Sequence, residues 1–197
     1  MARTREFDTD SAVDAAMQVF WSRGYEATSV QDLVEATGIG RGSLYAAFGS
    51  KDGLYEAALR RYAEDATARM AARLDRDEPV RVVLGDLLLS LLDDTLDHPE
   101  RRGCLITNTA VERLPRDPTA GRIVGDAFGR IAESVAAVLR RARARGELAA
   151  DADVTALADF VVTTIQGLRV HGKAGADRRR LVAVIDTALN ALPTTNL

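Results

Sequence analysis

Apolar residues recur at three- and four-residue spacing from one end of the chain to the other, and strand-like alternation is almost absent, which predicts an all-helical protein. Val13, Ala16, Met17 and Phe20 share one face of a helix that starts at Asp8 or Thr9 and runs to Arg23, where Gly24 is placed to cap it. Thr28 and Ser29 offer cap hydroxyls to a short helix over 30–37, with Leu33 and Val34 turned inward. Gly38-Ile39-Gly40 makes a tight turn into a second short helix over 41–48, whose apolar side carries Leu44, Ala47 and Phe48. Gly49-Ser50 ends it, and Ser50 caps a long helix over 51–74. Beyond the charged break 75–79 the same spacing predicts helices over 80–96, 101–114, 120–145, 154–170 and 178–192. Pro115 and Pro118 punctuate the middle, Gly146 closes the long helix, and Asp151 or Asp153, then Asp177, cap the last two.

Composition narrows the class. At 197 residues, 47% hydrophobic and 28% charged, the chain is long enough for one domain, or for a small one over 5–65 joined at the charged break to a larger one over 75–193. Every apolar run is cut well short of a membrane span, as Asp86 cuts 80–92, and 1–10 is polar with no signal-peptide pattern, so a cytoplasmic protein without membrane partners is expected. The single cysteine, Cys104, excludes an intramolecular disulfide, and with two histidines, His98 and His171, no metal site and no cofactor is expected. The formal net charge of -3 argues against nonspecific coating of nucleic acid but leaves a local basic surface open.

Residues 28–51, TSVQDLVEATGIGRGSLYAAFGSK, carry the function. Two short helices around a glycine-containing turn form the helix-turn-helix pattern, whose second helix enters a DNA major groove. Leu33, Val34, Ile39, Leu44 and Phe48 form the small core that fixes the pair, leaving Arg41, Gly42, Ser43, Tyr45 and Ala46 on the free face. Arg41 has the fork geometry for guanine O6/N7 or a phosphate, Tyr45 for a phosphate and sugar edge, and Ala46 for a thymine methyl. Ser29 and Lys51 stand at helix N-termini suited to phosphates. A Gly38-x-Gly40 dinucleotide loop does not fit, because Ser43 stands where a glycine is needed and a helix precedes in place of a strand.

With Gly24-Tyr25, Thr28-Ser29-Val30, Ile39, Gly42-Ser43-Leu44-Tyr45, Phe48, Ser50-Lys51 and Leu54 in register over about 5–65, the chain resembles the TetR family of bacterial transcriptional regulators. The resemblance implies that Gln31 reaches a base, that the segment from Gly40 through Arg41 to Ala46 reads the groove, and that Lys51 touches phosphate. It also implies a palindromic double-stranded operator, an all-helical ligand-binding C-terminal domain, and a homodimer through the last two helices, about 154–170 and 178–192. Charge alone is uncooperative here: over 1–62 Arg3, Arg5, Arg23, Arg41, Lys51, Arg60 and Arg61 face nine carboxylates, so affinity has to come from placement. Arg3 and Arg5 are expected to add arm contacts to backbone or minor groove.

A small-molecule effector is expected in an apolar pocket with few polar anchors, for which Leu88, Leu92, Cys104, Leu105, Asn108, Phe128, Ile131, Phe160, Thr164 and Gln166 are the candidates. The Gly103-Cys104-Leu105 segment resembles a NemR-like branch of the family that answers electrophiles through a cysteine. That makes Cys104 either a thiolate sensor near Arg101 and Arg102 or a buried small hydrophobe. Val154, Leu157, Phe160, Val161, Ile165 and Leu168, with Leu181, Val184, Ile185, Ala188 and Leu189, make stripes wider than packing within one chain needs, hence the expected dimer. Two other classes fit the sequence less well. A helical enzyme lacks any Ser-His-Asp, Cys-His or metal-ligand arrangement, and an architectural DNA binder conflicts with the net charge of -3.

Overall fold

The computed structural model of the chain describes residues 8–98 and 100–195. The described residues form nine helices in the order α1 (Thr9–Arg23), α2 (Val30–Thr37), α3 (Arg41–Phe48), α4 (Lys51–Leu74), α5 (Val80–Leu96), α6 (Leu105–Arg113), α7 (Pro118–Ala144), α8 (Val154–Lys173) and α9 (Arg178–Asn190). Among them there is no strand beyond an isolated bridge, Leu148 to Thr194. No described helix is long and apolar enough to cross a membrane.

Local chemistry sets the ends of these helices. Asp8 caps α1 by accepting from the Asp10 amide, and the α1 face Ala12, Val13, Ala16, Met17 and Phe20 is buried. Ser29 and Asp32 form a reciprocal capping box at α2, with Ser29 Oγ accepting from the Asp32 amide at 3.1 Å and Asp32 Oδ2 from the Ser29 amide at 2.8 Å. Thr28, expected as a second cap, instead turns its buried hydroxyl back onto the Gly24 carbonyl at 2.6 Å. Ser50 Oγ accepts from the Gly53 amide at 3.1 Å to open α4. Of the two aspartates expected at α8, Asp153 is the cap, accepting from Thr155 and Ala156.

The later helices depart from the expected bounds. The helix expected over 101–114 starts only at Leu105, because Arg101 at φ 43 and Gly103 at φ 68 take left-handed backbone that no helix continues. Conversely α7 begins at Pro118, not Ala120: Asp117 accepts from the Thr119 and Ala120 amides, and a proline at the first helical position has no N–H to leave unpaired. α8 continues to Lys173, and α9 stops at Asn190.

The chain divides into two compact units: one takes in the residues to Asp65 together with Leu105–Val124, the other Ala66–Cys104 together with the residues from Gly125 on. Compared with a division at the charged break, α6 and the start of α7 join the N-terminal helices. The break itself lies inside the second unit, where Arg76 pairs with Asp86 and Arg145 with Asp77, both at 2.8 Å. In that unit α5 buries Val83, Leu84, Leu87, Leu88, Leu91 and Leu92 and packs against α8 and α9, which in turn pack on each other.

Candidate nucleic-acid interface

Leu33, Ile39 and Leu44 are buried between α2 and α3, with Val34 and Phe48 half-buried beside them, as the small helix-turn-helix core requires. With Leu44 fixed inward, the opposite side of α3 is presented to solvent. Arg41, Gly42, Tyr45 and Ala46 are exposed, Tyr45 at 42%, while Ser43 is half-buried. Gly40, the exposed residue that opens α3, makes no side-chain cap, and a Cβ added at Gly40 or Gly42 would meet no atom within 4 Å. Among the described residues the Arg41 side chain has neither an ion pair nor a hydrogen bond. The face is therefore open and holds an uncommitted guanidinium.

The flanking candidates are partly engaged. Gln31 is exposed and donates through Nε2 to Glu35 at 3.0 Å. The Ser29 hydroxyl is taken up on both sides by Asp32, which leaves the exposed start of α2 rather than a free hydroxyl for a phosphate. Lys51, the first residue of α4, is half-buried with Nζ 4.0 Å from the centroid of the Tyr25 ring. Arg3 and Arg5 lie outside the described residues.

Several of the nine acids are paired, one of them with Arg113 from outside residues 1–62. Asp32 accepts from Arg23 at 2.6 Å, Arg61 lies 3.1 Å from Asp14 and 3.5 Å from Asp10, and Asp52 accepts from Arg113 at 2.9 Å. The Ser29 hydroxyl, ahead of the Ser29 amide and Arg23, holds the Asp32 carboxyl below the usual range. The Tyr25 hydroxyl, ahead of Arg113, does the same for Asp52. Carboxylates neutralised in this way repel a phosphate backbone less than their number suggests.

One group at this site carries no sequence signal. Glu112, at the end of α6, accepts from the amides of Tyr25 at 3.0 Å and Glu26 at 2.8 Å, closing the turn between α1 and α2 from 87 and 86 residues away. Arg113 beside it bonds Asp52 and Asp117 and lies 3.7 Å over the Tyr25 ring. Gly24 makes the approach possible: its φ of 81 suits glycine, and a Cβ there would sit 3.0 Å from both Glu112 carboxylate oxygens. Gly24→Ala is therefore expected to lower stability by about 1–3 kcal/mol, read as a fall in thermal midpoint; an unchanged midpoint would show that the turn relaxes freely.

The expected effector residues fall in both units. Leu105 and Asn108 belong to the first unit and the other eight to the second. Leu88, Leu92 and Ile131 lie in the packed core, Cys104 and Leu105 are each 1% exposed, and Asn108, Phe128, Thr164 and Gln166 are half-buried. Phe160 is 40% exposed, on the outward side of α8, because Val161 and Ile165 take the inward positions. A cleft of about 370 Å³ in the second unit lies elsewhere, between Leu74 and Asp75 at the end of α4 and Ser134 to Arg141 of α7, and none of the ten lines it. No three His, Cys, Asp or Glu among the described residues are grouped to hold a metal ion.

Known proteins match this geometry along the chain. The model of bacterial regulatory proteins of the tetR family matches residues 12–58, and that of the tetracyclin repressor-like C-terminal domain matches 84–188. The HTH-type transcriptional repressor ComR of Escherichia coli is 34% identical over 192 residues, covering 97% of this chain and 91% of its own. The HTH-type transcriptional regulator YezE of Bacillus subtilis is 33% identical, covering 98% and 100%. Among solved structures, a cysteine mutant of the TetR family regulator CifR, complexed with 26 bp double-strand operator DNA, superposes with a TM-score of 0.86. It is 37% identical over 98% of this chain and 100% of CifR. Matched in both its halves, the chain belongs to the TetR family of bacterial regulatory proteins, and its function is transcriptional regulation, not catalysis.

Proposed function

We propose that the chain is a homodimeric repressor that binds a palindromic operator through α3 and is released when its C-terminal helices take up a small molecule. The observation that carries this reading is the open face of α3, with Arg41 uncommitted and Leu44 and Ile39 fixing the helix from behind. Arg41, Tyr45 and Ala46 reach base edges and backbone, while Gly40, Gly42 and Ser43 let the helix approach. Ser29, Gln31 and Lys51 meet the flanking phosphates and bases. The operator-bound CifR relative supports the DNA partner.

The dimer reading is supported by exposed apolar residues on the last two helices. Val161, Ile165 and Leu168 of α8 and Leu181, Ile185 and Ala188 of α9 are buried within the chain. Phe160, Val170 and Val184 on the same helices stay exposed at 40, 50 and 44%. A two-fold pair puts two copies of α3 about one DNA turn or a multiple apart, hence the palindrome. The effector works only through a difference in affinity between the operator-competent and released states. Burial of the Cys104 thiol favours reversible uptake over covalent modification as the trigger. The proposed place of action is the cytoplasm, on chromosomal DNA.

Selection of bound duplex from a random pool tests the reading, followed by anisotropy titration of the winner. A palindrome is expected. Arg41→Ala should weaken binding by about 5- to 150-fold, the equivalent of losing one bidentate base contact of about 1–3 kcal/mol, with the melting curve unchanged. Enrichment of sequences without symmetry, or full affinity in Arg41→Ala, would overturn it.

A further inference from the structure

The turn ahead of the helix-turn-helix is not self-sufficient. The amides of Tyr25 and Glu26 fall between α1 and α2, beyond the hydrogen-bond ladder of either helix, and both donate to the single Glu112 carboxylate at 3.0 and 2.8 Å. Two charge-assisted bonds to one side chain fix both the position and the direction of the turn. Tyr25 is then gripped through its ring. Arg113 lies 3.7 Å from the centroid and Lys51 Nζ 4.0 Å from it, and the hydroxyl donates to Asp52 at 2.7 Å. Two cations on one aromatic ring repel each other unless one is neutralised. Here Arg113 is, by Asp52 at 2.9 Å and Asp117 at 2.6 Å, and Lys51 keeps its charge for an outside partner. Arg113 is 14% exposed and holds its proton more tightly than a free guanidinium, since its carboxylate bonds outweigh the cost of burial.

We infer that Glu112 and Arg113 are positioning residues for operator binding: they touch no DNA, but they hold Tyr25, and through its ring Lys51 and the entry into α2, in the arrangement the phosphates require. This rests on the operator reading above and assigns to the end of α6 a part in DNA contact made by a different helix. Glu112→Ala would leave two amides without a partner, while Glu112→Gln replaces one acceptor by a donor facing an amide. Arg113→Lys keeps the charge but loses the planar fork that spans Asp52, Asp117 and the ring.

The test uses the full chain and the selected duplex, titrated by anisotropy at several salt concentrations. Arg113→Ala and Glu112→Gln are each expected to weaken binding about tenfold, and to lower the slope of log affinity against log salt by about one phosphate contact, as Lys51→Ala does. In a Lys51→Ala background, Arg113→Ala should cost less than about twofold more, since both changes remove one contact. Arg113→Lys should fall between wild type and Arg113→Ala. Amide hydrogen exchange at Tyr25 and Glu26 should speed up in Glu112→Gln and not in Lys51→Ala. Equal losses in both backgrounds with an unchanged salt slope would reduce these residues to general stabilisers and overturn the inference, as would unchanged affinity. If Arg113→Ala fails to fold, Arg113→Lys in the two backgrounds decides by the same criterion. A wild-type chain that selects no duplex sinks the operator reading and this inference together, whereas wild type and every variant binding alike sinks the inference alone.

Discussion

A Gly53→Ala chain is expected to bind operator at least about 100-fold more weakly than wild type, the equivalent of losing two base contacts, and to melt at a lower temperature. Gly53 is the third residue of α4, and a Cβ built on it would lie 2.0 Å from the carbonyl oxygen of Phe48 and 3.2 Å from its carbonyl carbon. The obstacle is backbone, the last residue of α3, so no rotamer change relieves it. Either α3 withdraws from the first turn of α4 or α4 frays at Lys51, and both disturb the proposed contact set at once. Overpacking of this kind costs about 1–3 kcal/mol and occasionally more. Helix propensity alone predicts the opposite sign, because alanine is better than glycine in a helix by about 1 kcal/mol. The sign of the change in thermal midpoint therefore decides between the two effects, and a Gly53→Ala chain more stable than wild type with full affinity would mean that α3 and α4 do not approach this closely.

Gly53 also shows where a sequence stops being informative. The bounds of α2, α3, α4 and α5 follow from signals within a few residues of each end: the Ser29 hydroxyl, the Gly38-Ile39-Gly40 turn, Ser50, and Pro79 ahead of Val80. The inward positions Leu44 and Phe48 of α3 and the free face opposite them follow from helical periodicity, whereas Ala47, expected on the apolar side, is exposed; Arg41 and Tyr45 are thus legible as a surface pair before any fold is known. What fails is of two kinds. At α6 and α7 the local chemistry was ambiguous: Arg101 and Gly103 take left-handed backbone that the surrounding apolar spacing hides, and Pro118 reads equally as a break or as a first helical residue. At Glu112, Arg113 and Gly53 the decisive neighbours lie elsewhere in the fold or depend on a turn angle. Charged residues at the end of a helix resemble any solvated face until the Tyr25 and Glu26 amides are seen against them. Apolar periodicity likewise identifies inward positions but does not separate a packed core, such as Leu88, Leu92 and Ile131, from the wall of a cavity.

Tyr55→Ala should destabilise the chain by about 3–5 kcal/mol, the range for deleting a fully buried aromatic side chain. Tyr55 is 1% exposed, and its ring meets Phe20 edge-on at 4.8 Å and Tyr25 at 5.0 Å, so α1, the α1–α2 turn and α4 share one aromatic cluster. Its hydroxyl lies 2.8 Å from Thr109 Oγ1, and because that threonine donates its own proton to the Leu105 carbonyl at 2.7 Å, Tyr55 is the donor. Tyr55→Phe keeps the ring and loses only that bond, leaving Thr109 satisfied by Leu105, so it should cost no more than about 1 kcal/mol. Alkaline pH provides a second handle on the same residue. Burial pushes the Tyr55 hydroxyl from its ordinary 10 up to about 12, so the folded chain keeps this proton after the unfolded chain has released it. Its contribution is complete below pH 10, falls by about 1.4 kcal/mol per unit above that, and is lost as pH rises through 12. Tyr25 is shifted in the same direction, burial first and then its bond to Asp52, so the informative quantity is the difference between wild type and Tyr55→Phe, not the slope of either alone. Denaturant unfolding at pH 9 to 11 should show wild type losing stability faster than Tyr55→Phe. Parallel slopes would mean that water reaches the Tyr55 hydroxyl and that α4 is not held to Thr109 of α6 by a dry hydrogen bond.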